Sequence, residues 1–252
     1  MTVLVYATVF CFPVSADSAV RAPMSQGHRN VSATIRDQRQ WHTPPDPEAA
    51  KLGFRGWHSR GHLPHFDVPG VIQMLNYRLD DAMPASRRHE WAALLDLEDE
   101  LKRHTKIEEY VDRGFGNCEL REPKVASIVE ENWLHGDGQD YRMLAWVVMP
   151  NHVHVLVEIR QKPMSELLLG WKGYTARRIN RVLGRHGKLW QDDYWDRYIR
   201  DETHYRKVVH YIESNPVQAG LVKSPAQWPF SSARFRDEYT RLQPPPKPGA
   251  PP

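Results

Sequence analysis

The chain reads as an α+β protein built on an antiparallel sheet with helices covering one face. Three features predict this. Two β-prone runs, YRMLAWVVM at 141–149 and HVHVLVEI at 152–159, are separated only by the breaker Pro150-Asn151, the pattern of an antiparallel hairpin. A helical period precedes them in LREPKVASIVEENWLH, and another follows in KPMSELLLGWKGYTARRINRVLG. Strands interleaved with helices and joined by a hairpin define this class.

The elements follow in order. Residues 12–50 mix Pro, Ser, Arg and Asp without an apolar period, and the chain closes on QPPPKPGAPP. A leader over 1–54 and a tail over 239–252 are therefore expected to stay disordered, flanking one domain at 55–238. The opening MTVLVYATVFCFPVSADSA is apolar, but no Lys or Arg precedes Arg21, which argues against a secretory signal. VPGVIQMLNYRL (68–79) opens on a turn signal and continues as a strand. Pro84-Ala85-Ser86 starts a helix running to about residue 104. The next helix places Val125, Ile128, Val129 and Trp133 on one face. After the hairpin, Pro163 begins a helix whose stripe is Leu168, Trp171, Thr175, Ile179 and Val182. A loop over 187–200 leads to a last helix, capped by Asp201, with Tyr205, Val208, Val209 and Ile212 as its buried stripe.

Composition narrows the function classes. At 252 residues with 40% hydrophobic content, the chain can bury one sizeable core. Cys11 and Cys118, the two cysteines, make neither a disulfide framework nor a zinc site, so a cytoplasmic setting is expected, nucleoid-associated if the partner is DNA, and no run reaches membrane-spanning length. The net charge of +3 conceals a local excess: residues 160–210 hold twelve Lys or Arg against six Asp or Glu, interleaved with Trp171, Tyr174, Trp190, Tyr194 and Trp195. That mixture is the footprint of a site for a polyanion with stackable bases, although a solvated helix face would read the same way.

The chemistry centres on MPNHVHVLVE. In a strand His152 and His154 point to one face and Val153, Val155 and Val157 to the other, so the valines are core and the imidazoles, roughly 7 Å apart along the strand, can converge on an ion. Mg²⁺ or Mn²⁺ would suit such a pair if oxygen donors joined it. On the last helix His204, Tyr211 and Asn215 fall on one polar edge, provided the helix survives to the residue before Pro216. A phenol is a weak nucleophile at neutral pH and needs a metal to polarise the phosphodiester it attacks. His204 and His210 are weaker candidates for a role.

Three blocks, AWVVMPNHVHVLVE, LWQDDYWDRYIRDETHYRKVVHYIESNPVQAGLV and SPAQWPFSSAR, resemble the REP-associated tyrosine transposases, the single-tyrosine branch of the HUH endonucleases, over residues 55–236. The resemblance implies a ferredoxin-like α+β domain that cleaves single-stranded DNA with a divalent metal through a covalent 5′-phosphotyrosine. It also implies a hairpin substrate in repetitive extragenic palindromes. Carried over, the metal ligands fall on His152, His154 and Asn215 and the nucleophile on Tyr211. Arg177, Arg178, Arg181 and Lys188, with Trp190 for stacking, are the expected DNA contacts of a monomer or homodimer. The rival readings are a hairpin DNA- or RNA-binding protein that keeps the fold without chemistry, and a zinc hydrolase using the same histidines.

Overall fold

The computed structural model describes residues 45–59, 64–97, 100–192, 194–238 and 240–243. The elements in order are α1 (Pro47–Lys51), β1 (Gly56–Ser59), β2 (Pro64–Asp67), β3 (Ile72–Arg78), α2 (Arg88–Leu95), α3 (Glu100–Asp112), α4 (Pro123–Gly136), β4 (Tyr141–Val148), β5 (His152–Ile159), α5 (Met164–Val182), β6 (Trp195–Tyr198) and α6 (Glu202–Gln218). The main sheet has the order β4-β5-β3-β6, every pair antiparallel, and β1 and β2 form a separate hairpin. Taking β3, α4, β4, β5, α5 and β6 as the frame gives the β-α-β-β-α-β connectivity of the ferredoxin-like architecture.

Alternation along the strands sorts the core into two layers. Leu75, Tyr77, Val153, Val155 and Val157 face Val125, Ile128, Val129 and Trp133 of α4 and Leu168, Trp171 and Ile179 of α5. Ile72, Met74, Val147 and Leu156 face Val208 and Ile212 of α6. Helices thus cover both faces. The expectation of one covered face is corrected, because the strand residues on the second face are apolar as well and need burial of their own.

The sequence boundaries shift in five places, one of them in the expected tail, where Leu242 bridges to Arg236 and packs against the core. The single helix expected to end near 104 is two, and the second, α3, runs on to Asp112. The stretch expected to be loop holds β6, which completes the sheet against β3. Val182 leaves the stripe and is 49% exposed, because α5 ends there. Part of the expected leader is folded: Asp46 caps α1 through the Ala49 amide at 2.9 Å, and Ala49 and Phe54 are buried in the core. Residues 1–44 and 244–252 lie outside the described residues.

The edge strand β4 is covered by the segment after α6. The Val148 amide donates to the Phe230 carbonyl at 2.9 Å, the Trp146 amide to Ser232 Oγ at 3.0 Å, and Trp228 Nε1 to the Val148 carbonyl at 2.9 Å. The unpaired edge of the sheet is closed by this strap, which otherwise would invite another strand.

Candidate active site

Because β5 alternates, sending Val153 and Val155 to the α4/α5 layer turns His152 and His154 to the α6 side, where they are 1% and 0% exposed. Register sets Arg78 opposite His152 and Asn76 opposite His154. Two helices supply the rest. α6 starts where Asp201 accepts the His204 amide at 2.7 Å and continues through Pro216 to Gln218, so the proviso attached to Asn215 is met. It brings Tyr211 and Asn215 over the histidines, while α3 brings Glu108 and Asp112 from the side.

The donor atoms converge. His152 Nε2 and His154 Nε2 are 3.0 Å apart, and Asp112 Oδ1 is 3.3 Å from His152 Nε2. Glu108 Oε2 lies 3.8 Å from His154 Nε2, and Asn215 Nδ2 lies 3.4 Å from the same atom. Tyr211 stacks edge-on against His154, ring centroids 5.3 Å apart, and its hydroxyl donates to Glu108 Oε2. Asn76 Nδ2 donates to the other oxygen of Glu108. His152, His154, Tyr211 and Asn215 are therefore brought together within one chain.

Electrostatics follow from burial. Burial, with Arg78 beside it, pushes His152 down to about 3, so its ring is neutral and free to ligate at ordinary pH. Burial raises Glu108 to about 8 despite the hydrogen bond from Tyr211, and raises Asp112 to about 7 with help from Glu109. The Tyr211 phenol is pushed well above its ordinary 10 by burial first and by Glu108 and Asp112 next. Without a cation, burial favours the neutral forms of His152, Glu108, Asp112 and Tyr211.

The donor set fits a divalent ion. Two ligands each about 2.1 Å from an ion and at right angles to each other stand about 3.0 Å apart, the spacing of the two imidazole nitrogens. Asp112, His152 and His154 each offer a ligand atom within 4.8 Å of the others. Asp112 Oδ1 is buried without a hydrogen-bond partner, as an oxygen reserved for a cation would be, and Asn215 Oδ1 is unpartnered where it stands, on the far side of its amide from the histidines. Turning the Asn215 amide over would bring its oxygen to the position now held by Nδ2. Imidazole, carboxylate and amide oxygen together suit Mg²⁺ or Mn²⁺.

Other expected residues are placed elsewhere. Arg177, Arg178 and Arg181 are exposed on α5, across the sheet from the histidines. The first two line a groove of about 720 Å³ between α4 and α5 together with Tyr174 and Lys162. Lys188 is exposed and ion-paired with Asp80 at 3.2 Å and Asp192 at 3.0 Å. Trp190 is 4% exposed, donates from Nε1 to Thr175 Oγ1 at 2.9 Å and meets Tyr77 edge-on. Its expected stacking role is corrected, since a ring only 4% exposed presents no open face to a base. His204 accepts the Arg200 amide at 3.2 Å, and His210 is exposed. Glu108 and Asp112 escaped the sequence reading because the helix was ended too early. The apolar pair Tyr110-Val111, now buried at 3% and 1%, was the signal that it continues.

Part of the chain is similar to known proteins. Residues 125–215 match the family described as Transposase IS200 like. The REP-associated tyrosine transposase of Escherichia coli (strain K12) is 32% identical over 92 residues, covering 36% of this chain and 54% of that protein. A Haemophilus influenzae relative is 26% identical over 115 residues, 41% of this chain and 65% of its own length. The chain thus spans 54% and 65% of these two relatives. A solved structure of a REP-associated tyrosine transposase bound to a REP hairpin is similar at 20% identity, covering 69% of this chain and 83% of that one, with a TM-score of 0.43. The stretch that matches the family carries His152, His154, Tyr211 and Asn215, whereas Glu108 and Asp112 precede it. The resemblance of this chain is accordingly to the REP-associated tyrosine transposases.

Proposed function

We propose that the protein is a metal-dependent endonuclease and strand transferase acting on single-stranded DNA that folds into palindromic hairpins. The observation that carries this reading is the delivery of the Tyr211 hydroxyl from α6 to the volume where His152 Nε2 and His154 Nε2 stand 3.0 Å apart. The hairpin substrate is inferred from the named relatives. An enzyme of this kind works at the nucleoid, and no helix among the described residues is long and apolar enough to cross a membrane.

His152, His154 and Asp112 would hold the ion, with Asn215 as the amide ligand. When bound, Mg²⁺ or Mn²⁺ supplies charge neutralisation and polarisation of the phosphodiester. Tyr211 Oη then attacks phosphorus, the bond to the 3′ oxygen breaks, and a 5′-phosphotyrosine remains. Glu108, already accepting the phenol hydrogen bond, takes the proton, and the departing 3′ oxygen takes one from water. Burial raises this carboxyl above its ordinary range, which makes it a stronger base for this transfer than an exposed carboxylate. Attack of a 3′-hydroxyl on the phosphotyrosine reverses the sequence and joins strands. Arg78, opposite His152 in register and held by its Nε donation to Gln191 Oε1 at 2.7 Å, is a cation beside the histidine pair that would meet the scissile phosphate.

The test is incubation with end-labelled single-stranded palindromes and Mn²⁺, followed by denaturing gels. Wild type is expected to form a covalent species. Tyr211→Phe is expected to lose it while keeping hairpin affinity within about twofold. Cleavage that survives this substitution would sink the proposal and favour hydrolysis by a metal-bound water.

A further inference from the structure

Asn151 occupies the turn between β4 and β5 and is 1% exposed. Its amide is fully engaged. Oδ1 stands 2.8 Å from His152 Nδ1, and Nδ2 donates to the carbonyls of Val111 at 3.0 Å and Phe115 at 3.1 Å. The orientation of this amide is dictated by its partners. Turned over, it would set Oδ1 against two carbonyl oxygens and lose both donations at once.

With the amide so oriented, Oδ1 can only accept, so His152 must carry its proton on Nδ1. That leaves Nε2 with a lone pair, directed at His154 Nε2 at 3.0 Å and Asp112 Oδ1 at 3.3 Å. The same side chain also grips Val111 and Phe115, the residues bracketing Asp112 where α3 ends. One amide thereby addresses two ligands that lie 40 residues apart in the chain.

We propose that Asn151 is a positioning residue. It locks His152 in the Nδ1–H tautomer through Oδ1 and seats the end of α3 through Nδ2, so that Asp112 and His152 reach the ion together. This rests on the metal site proposed above, and it deepens that reading by naming what assembles the site. Partners of this kind fix both ring orientation and ligand basicity.

The experiment uses the full-length protein with ¹⁵N-labelled histidine and, separately, Mn²⁺ titrations by calorimetry. In metal-free wild type, His152 is expected to show a protonated Nδ1 and an unprotonated Nε2. Asn151→Ala is expected to weaken Mn²⁺ binding about 10- to 100-fold and to mix the tautomers. Asn151→Asp retains the acceptor and loses both donors, so it should keep the tautomer while amide hydrogen exchange over 111–115 accelerates. That variant also covers the case in which the alanine variant does not fold. Finding the Nε2–H tautomer in wild type, or unchanged exchange in Asn151→Asp, would overturn the proposal. Wild type that binds no Mn²⁺ would instead overturn the metal reading, and the metal-free spectrum would still decide the role of Asn151.

Discussion

Tyr211 of α6 donates its phenolic hydrogen bond to Glu108 of α3, a residue 103 positions earlier in the chain. The contact joins the two helices over the histidine pair and gives the phenol an acceptor inside a pocket that disfavours phenolate. Replacing Glu108 by Gln keeps the shape and removes the proton acceptor. The rate of adduct formation should fall about 10²- to 10⁴-fold. Single-turnover cleavage checks this, and disappearance in Glu108→Gln of the wild-type rise in rate with pH would identify Glu108 as the group concerned.

The raised carboxyls predict how the metal-free protein responds to pH. Glu108 and Asp112 hold their protons to about 8 and about 7 when folded, but release them near the ordinary carboxylate range when unfolded. The folded state binds more protons in that window, so stability declines as pH rises. His152, neutral when folded, is still partly protonated when unfolded just above pH 6.5, so it opposes the carboxyls with a smaller effect that fades by about pH 7.5. Melting temperature without metal should therefore drop from pH 6.5 to 8.5, and Mn²⁺, which favours the ionised carboxylates, should raise it more at pH 8.5 than at pH 6.5. A flat metal-free profile would count against buried acids at the site.

Asp112→Asn separates ligation from architecture. Removing the buried carboxyl should leave the metal-free protein at pH 8 as stable as wild type or more so, because the penalty for ionising it is gone. Mn²⁺ affinity should fall by tenfold or more. Thermal melts and calorimetry on the same samples check the two signs together.

Arg78, which donates to Gln191 Oε1 at 2.7 Å, stands beside His152 and would repel a cation bound there while attracting a phosphate. Arg78→Gln is expected to tighten Mn²⁺ binding several-fold in the absence of DNA while lowering cleavage at subsaturating DNA. General structural damage would weaken both, so opposite signs distinguish the two.

Trp190→Phe tests the corrected role of this ring. Loss of its hydrogen bond to Thr175 Oγ1 should destabilise the fold by about 1 to 2 kcal/mol, with hairpin affinity unchanged. Weakened DNA binding at unchanged stability would restore a stacking role.

Local periodicity was enough to read β3, the β4–β5 hairpin, the valine face of β5, α4 and most of α5, since each rests on neighbours within a turn or two of the chain. It also put His152 and His154 on one side of a strand and set Tyr211 and Asn215 on one edge of a helix, and the resemblance joined them. Tertiary structure alone decided what surrounds them. Glu108 and Asp112 sit on a helix with few apolar residues to announce its length, and only packing against β3 and β5 turns their carboxyls inward. The sheet likewise separates Arg177 and Arg178 from the histidines, and the core claims Trp190, because which face a residue meets depends on how layers stack and not on its spacing along the chain.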